Sequence, residues 1–365
     1  MQVLWNGEAL ESFKPSRGIR QGDPLSPYIF VLCIERLFHL INVAVKQKLW
    51  RPIKLSKKGP ELSYLAFADG LILFAEASMD QVEILKSCLD IFCESSGMKV
   101  SQENTRVYFS KNIGQTIKNE ISSSLGYKRT DNLGKYLGVQ LHHSRVSRRT
   151  LESVMEKVNS RLNQWKNKHL SFACRVTLSK SVLIAIPFYT MQIAYLPRNL
   201  CDEIDKKVRS FIWGQTRDNR GVHALAWSTL CKPKLEGGLG VREARLNNTS
   251  FMMKNCWQVL TQPYKLWVRV LRSKYAGGEN MVPDFHNRKI ASNTWRGICN
   301  AWENFKPFIA WSIGDGKTIK FWLDCWLESR TTLIKVVDMS LPYQEREKVL
   351  ENYVGEDGNW SIEGI

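Results

Sequence analysis

The chain has 365 residues, 44% of them apolar, nine cysteines and a formal net charge of +17. That length allows two or three domains with ample core, and no uninterrupted run of eighteen apolar residues predicts a membrane span. Met1–Trp5 lacks the basic and apolar regions of a signal peptide, and an odd, scattered set of cysteines reads as reduced intracellular thiols and not as a disulfide framework.

The first sixteen residues read as a leftover edge. Val3–Trp5 is strand-like, Asn6-Gly7 is a turn, and Leu10–Phe13 is apolar. Gly18 and Gly22 then bracket Ile19-Arg20-Gln21, and two glycines let backbone come close to a ligand. Ser26-Pro27 predicts a helix start, with serine as N-cap and proline at the first position. Ile29, Phe30, Cys33, Leu37, Leu40 and Ile41 continue at helical spacing to about Leu49. Gln21 and Asp23 are therefore expected in a loop at a helix N-terminus, where amides and the helix dipole favour an anion. A well-capped core helix fits the same pattern.

Leu62–Phe67 and Leu71–Phe74 read as strands joined by Ala68-Asp69-Gly70. Asp-Gly between apolar runs predicts a tight hairpin, because glycine accepts positive φ. The hairpin lifts the Asp69 carboxylate to the tip of two apolar strands, although a good turn needs no function. Ser78 and Gln81 predict a capping box for a helix with Ile84, Leu85, Cys88, Leu89 and Phe92 on its apolar face and Gly97 at its end. Met98–Val100 and Thr105–Phe109 read as strands. Helix, hairpin, helix and strands form an α+β pattern.

Tyr136–Leu141 is a strand or turn. Beyond it the chain becomes helical and basic. Residues 131–260 hold 21 Lys and Arg against 9 Asp and Glu, a net +12, while residues 1–130 carry only +4 and residues 261–365 only +1. Solubility alone needs no such concentration, and a segment this basic points to a polyanion, most simply nucleic acid. Val154, Val158, Leu162 and Trp165 keep an apolar stripe. Around it lie Lys135, Arg145, Arg148, Arg149, Lys157, Arg161, Lys166, Lys168, Arg175 and Lys180, against Glu152 and Glu156. Phe172–Ile186, ended by Pro187, and Cys201–Trp213 are two further helices. Residues 214–245 are loop-like. The many tryptophans beyond residue 246 fit a core better than a base-stacking surface. Neither His223 with Cys231 nor Cys88 with Cys93 has the further ligands a zinc site needs. There is no internal repeat.

Two stretches carry a resemblance. R-G-I-R-Q-G-D-P-L-S-P-Y-I-F at Arg17–Phe30 resembles motif B of the reverse transcriptases of plant non-LTR (LINE-type) retrotransposons, and F-A-D-G at Phe67–Gly70 sits where that family has F-A-D-D, its catalytic motif C. The likeness continues through Tyr136-Leu-Gly-Val139 and the Trp165–Ile186 block to Gly237-Gly-Leu-Gly240. It implies part of a polymerase palm (helix, β-hairpin, helix, strands) at residues 1–143, a helical thumb at 144–213 and a mostly helical connector at 214–365. In this family Asp69 is a catalytic Mg²⁺ ligand, the positions of Arg20, Gln21 and Gly22 face the incoming nucleotide and template, and the thumb grips the primer–template duplex. Implied partners are an RNA template and RNA–DNA or DNA duplex, with no membrane, no particular oligomeric state, and a nuclear setting by family alone. Lys99 also has a family counterpart, and a plain surface lysine serves as well.

The departures matter equally. Gly70 replaces the second aspartate of the pair, a change expected to suit the turn while removing a ligand. Motif A, which supplies the first carboxylate, precedes motif B in the family, and here only sixteen residues precede Arg17, with Glu8 and Glu11 but no aspartate. The family's zinc-binding and RNase H regions have no counterpart before Ile365. The expectation is a fragment truncated at both ends, catalytically inactive, with an exposed apolar edge and marginal solubility. The other readings are a non-catalytic nucleic-acid-binding remnant, a pseudogene product and an intron-maturase-like protein.

Overall fold

The computed structural model describes residues 2–14, 18–141, 151–165, 170–215, 222–276, 282–283, 285, 290–327, 331–337, 340–355 and 359–361. The chain divides into two compact units, Met1–His143 and Ser144–Ile365.

The first unit is α+β. Its strands are short and pair in twos. β1 (Leu4–Trp5) and β2 (Glu8–Ala9) form an exposed hairpin. Helix α1 (Ser26–Lys46) follows, and β3 (Ile53–Lys54) pairs with β4 (Glu61–Leu62). β5 (Tyr64–Phe67) pairs antiparallel with β6 (Gly70–Leu73), from Tyr64↔Leu73 to Phe67↔Gly70. Helix α2 (Met79–Ser96) comes next, then β7 (Arg106–Val107), α3 (Gln115–Leu125) and β8 (Lys128–Arg129), with β7 and β8 parallel. β9 (Lys135–Tyr136) and β10 (Val139–Gln140) close the unit as a further tight hairpin.

The core explains the order. Leu37, Ile41 and Ala44 of α1 pack with Trp50 and with Cys88, Leu89 and Phe92 of α2, and the β5–β6 hairpin lies on them through Tyr64, Leu71 and Leu73. Phe38 stacks on Tyr64, ring centroids 4.6 Å apart. The buried Trp50 Nε1 donates to the Phe74 carbonyl at 2.8 Å, tying the end of the hairpin to the turn after α1.

Four local expectations change here. The residue capping α1 is Leu25, and Ser26 is already helical. The Ser26 hydroxyl instead donates to the Arg20 carbonyl at 2.7 Å. The Ser78–Gln81 box does not form. The buried Gln81 side chain accepts from Arg51 N at 2.7 Å and donates to Leu49 O at 2.8 Å. Two backbone groups thirty residues away outcompete a local cap, because leaving them unpaired in the core is the costlier choice. Met98–Val100 forms no strand, and Thr105–Phe109 contracts to β7. The hairpin turn is Ala68-Asp69, not Asp69-Gly70: Ala68 takes the positive φ of 48°, while Gly70 begins β6.

The second unit is helical. α4 (Glu152–Trp165), α5 (Phe172–Leu178), α6 (Phe188–Met191) and α7 (Arg198–Ile212) surround a core built from Val154, Val158, Leu183, Met191, Leu200, Ile204 and Val208. The expected helix from Phe172 to Ile186 runs as α5 directly into a π-turn at Ser179–Leu183, and the short α6 follows beyond Pro187. Pro187 caps α6 and does not simply end a helix. The third helix starts at Arg198, ahead of Cys201. α8 (Trp227–Cys231), α9 (Ala244–Thr261), α10 (Leu266–Leu271) and α11 (Asn293–Phe305) follow, with the short α12 (Tyr343–Arg346) near the end.

Between α6 and α7 the backbone of residues 192–196 is pinned by carboxamides. Asn248 accepts from Leu196 N at 3.1 Å and donates to Leu196 O at 3.0 Å. Asn293 does the same to Tyr195, at 2.6 and 2.9 Å. Asn255 donates to Gln192 O at 3.0 Å. Asn248 and Asn293 each supply the donor and acceptor that a neighbouring strand would otherwise give, and Asn255 adds a donor.

The tryptophans are mostly core, as their spacing suggested. Trp295 is fully buried, and Trp322 lies with Phe321 and Tyr353 in a separate aromatic cluster. Trp257 on α9 and Trp360 are about half exposed. By length and composition alone, Ser26–Lys46 and Phe172–Met191 are apolar enough to cross a bilayer. Both carry internal charge, Glu35 and Arg36 in the first and Arg175 and Lys180 in the second. A charged residue at a helix centre costs about 2.5–3.5 kcal/mol in a membrane, and both segments place residues in protein cores.

A half-buried carboxylate gives this unit a pH dependence. Asp205 of α7 accepts from Ala244 N, the first amide of α9, at 3.0 Å. Burial pushes its carboxyl up to about 6, with Glu243 and Asp202 adding to the rise and the Ala244 amide and Arg245 opposing it. A carboxyl raised in the fold favours the folded state most below its ordinary value of 3.8, and this contribution is lost as pH climbs through 6. Asp205→Asn keeps the acceptor and removes the titration. Its urea midpoint is expected to match that of the parent near pH 4 and to exceed it at pH 7. An unchanged gap between the two pH values would refute this.

Candidate nucleotide site and nucleic-acid interface

The loop before α1 is closed by its own polar groups. Asp23 N donates to Arg20 O at 3.3 Å and Ser26 N to Asp23 O at 3.1 Å, and the Asp23 carboxylate accepts from Leu25 N at 2.9 Å. Gln21 and Gly22 are thus the central pair of a four-residue turn, and Gly22, at φ 84°, occupies the position where a type II turn demands positive φ. Asp23 is consumed in holding the loop. Arg20, Gln21 and Gly22 are exposed at its outer side.

Asp69 is exposed at the tip of the β5–β6 hairpin, beside exposed Phe67 and Ala68. A non-glycine residue with left-handed backbone costs about 1–2 kcal/mol, and strain of this kind collects at functional turns. Gly70 is not needed for the turn, since Ala68 carries the unusual angle. A Cβ at position 70 would sit 3.3 Å from Phe67 O and 3.4 Å from the Tyr136 ring, so a side chain fits with a small adjustment. Tyr136 donates its hydroxyl to Gly70 O at 3.3 Å. The β9–β10 hairpin therefore braces the degenerate position directly, and sequence reading missed that contact because 66 residues separate the partners. Lys135, next to Tyr136, is exposed.

The family's chemistry uses divalent metal, and two-metal phosphoryl transfer needs several converging carboxylates. Asp69 is one. Among the described residues no group of three or more His, Cys, Asp and Glu is placed to hold a metal ion. The described residues alone offer no donor set that fits a metal pair.

In the second unit, Lys157 and Arg161 are exposed one turn apart on α4, at the border of its buried stripe of Val154, Met155 and Val158. Arg175 is committed elsewhere: its guanidinium donates to Ile212 O at 3.0 Å and Leu170 O at 2.9 Å, capping the carbonyl end of α7. Lys180 donates to Leu239 O at 2.8 Å. Its charge count marked Arg175 as a phosphate contact, and its geometry makes it a structural staple. Arg145, Arg148, Arg149, Lys166 and Lys168 lie outside the described residues. His223 is exposed and stacks on Trp213, and burial pushes the Cys231 thiol up to about 12.

Comparison with known proteins bears on all of this. Residues 2–141 match the family described as reverse transcriptase (RNA-dependent DNA polymerase). The chain is 37% identical over 191 residues to a putative ribonuclease H protein of Arabidopsis thaliana, covering 52% of this chain and 31% of that protein. It is 32% identical over 151 residues to an uncharacterized mitochondrial protein of the same plant, covering 41% of this chain and 97% of that one. It is 26% identical over 218 residues to a retrovirus-related Pol polyprotein from a type-2 retrotransposable element of Drosophila melanogaster, covering 57% of this chain and 19% of the polyprotein. The chain thus spans about a third of the length of the first of these relatives. Both loops described above fall inside the matched region, and residues 2–141 belong to the reverse transcriptase (RNA-dependent DNA polymerase) family.

Proposed function

We propose that this chain binds primer–template nucleic acid without extending it. One observation carries the reading: the turn that should present a pair of aspartates presents Asp69 beside Gly70. Two Mg²⁺ ions about 3.5–4 Å apart repel one another unless several carboxylates converge on them, and a single exposed carboxylate gives weak affinity. Residues 1–143 act as the part of a palm that faces the nucleotide, through Arg20, Gln21 and Gly22. Residues 144–213 act as a thumb, through Lys157 and Arg161 together with Arg145, Arg148, Arg149, Lys166 and Lys168. Residues 214–365 act as a connector. Lys135 lies at the edge of the palm. The net +12 of residues 131–260 supports electrostatic binding of RNA–DNA or DNA duplex.

Primer extension on a primed RNA template, with Mg²⁺ or Mn²⁺ and Asp69→Ala alongside, tests the reading. The expected result is no product from either protein, with both binding the duplex and both losing affinity steeply as salt rises. Synthesis that depends on Asp69 would overturn it, and would mean that other carboxylates, such as Glu8 or Glu11, complete the site.

A further inference from the structure

Leu235 is the most exposed large apolar residue among those described, fully open to solvent at the tip of the loop between α8 and α9. A lone exposed leucine on a soft loop means little. This loop is not soft. Glu236 N and Gly238 N both donate to Pro233 O, at 3.0 and 3.1 Å, Gly240 N to Lys232 O at 2.8 Å and Leu239 N to Leu230 O at 3.0 Å. Gly238 lies so close beneath Lys232 that an added Cβ would fall inside its carbonyl oxygen, and the Lys232 Cβ is 2.7 Å from the same point. From below, Lys180 fixes Leu239. The leucine cannot fold back, so its exposure is built in.

Its surroundings say what it could enter. Lys232 and Lys234 precede it and Glu236 follows it, all exposed, within the most basic third of the chain. That charge favours a polyanion over an apolar protein pocket. Sequence-tolerant binders of single strands stack bases on aromatic rings, and residues 232–240 contain none. The two apolar residues at the tip, Pro233 and Leu235, are instead of the types that wedge between base steps of a duplex. We propose that this loop is a wedge: Leu235 inserts at a base step of bound duplex while Lys232 and Lys234 hold the flanking phosphates. The proposal rests on the nucleic-acid reading above and adds to it a residue, a mode and a preference for duplex.

The test uses the full chain and an RNA–DNA duplex carrying 2-aminopurine at successive positions, so that fluorescence reports unstacking. The parent protein should raise fluorescence on binding. Leu235→Ala, a change at a solvent-exposed tip, should abolish most of that rise while keeping the salt dependence of binding. Lys232→Gln with Lys234→Gln should weaken binding and lower the slope of log K against log salt by about 2, near 0.9 per phosphate contact. Binding by the parent with no rise, or an equal rise from Leu235→Ala, would overturn the wedge and leave the binding reading intact. Failure of the parent to bind any duplex at low salt would overturn both.

Discussion

Gly238→Ala is expected to destabilise the second unit by about 4 kcal/mol, near the top of the range for single substitutions. Overpacking normally costs about 1–3 kcal/mol, because side chains can shift. Here the obstacle is backbone. The new methyl would meet the carbonyl carbon and oxygen of Lys232, and that oxygen already accepts the Gly240 amide. Moving it breaks the loop's closing bond and drags Leu239 and Val241, which pack into the helical core. Urea denaturation followed by tryptophan fluorescence reads the effect cleanly, since of the thirteen tryptophans only Trp5 and Trp50 precede residue 144. A midpoint within error of the parent would show that the loop yields, and would remove the rigidity on which the wedge depends.

Asn248→Ala should cost about 3 kcal/mol. The residue is 2% exposed, and its carboxamide satisfies both backbone groups of Leu196, which is itself buried. Removing it orphans a donor and an acceptor, each worth about 1–3 kcal/mol when left unpaired, and part of that is recovered if water enters. Asn248→Asp separates the causes. It keeps the acceptor for Leu196 N but turns the donor into a carboxylate facing Leu196 O, so at neutral pH it should be at least as damaging as alanine. An aspartate variant as stable as the parent at pH 7 would sink the argument.

What could be read from the sequence was what neighbouring residues settle among themselves. The Gly22 turn and the Gly97 helix stop follow from glycine, and the hairpin carrying Asp69 and the stripe of Cys88, Leu89 and Phe92 follow from the spacing of apolar residues. The family followed from two motifs in the right order. What escaped was decided by partners far along the chain. Gln81 looked like a cap and serves Leu49 and Arg51. Arg175 looked like a phosphate contact and serves Ile212 and Leu170. Tyr136 has no local reason to reach Gly70. The turn itself moved by one residue because strand pairing, which aligns Phe67 with Gly70, outweighed the preference of glycine for positive φ.

The pinned backbone at residues 192–196 also sets a timetable. Its partners lie 52, 63 and 98 residues downstream. Synthesis at about 5–20 residues per second leaves that stretch waiting roughly 5–20 s for Asn293 to leave the ribosome. Until then the amide and carbonyl of Tyr195 have only water or the wrong chain to pair with, while the amides of Gln192, Ile193 and Ala194 pair locally with Phe188 and Thr190, and contacts this distant along the sequence form slowly in any case. The second unit is therefore built to close late, from its C-terminal half backward. A ribosome halted before residue 293 would hold α4 to α7 with their connecting strand still open, a species that chaperones should recognise and the finished chain should not resemble.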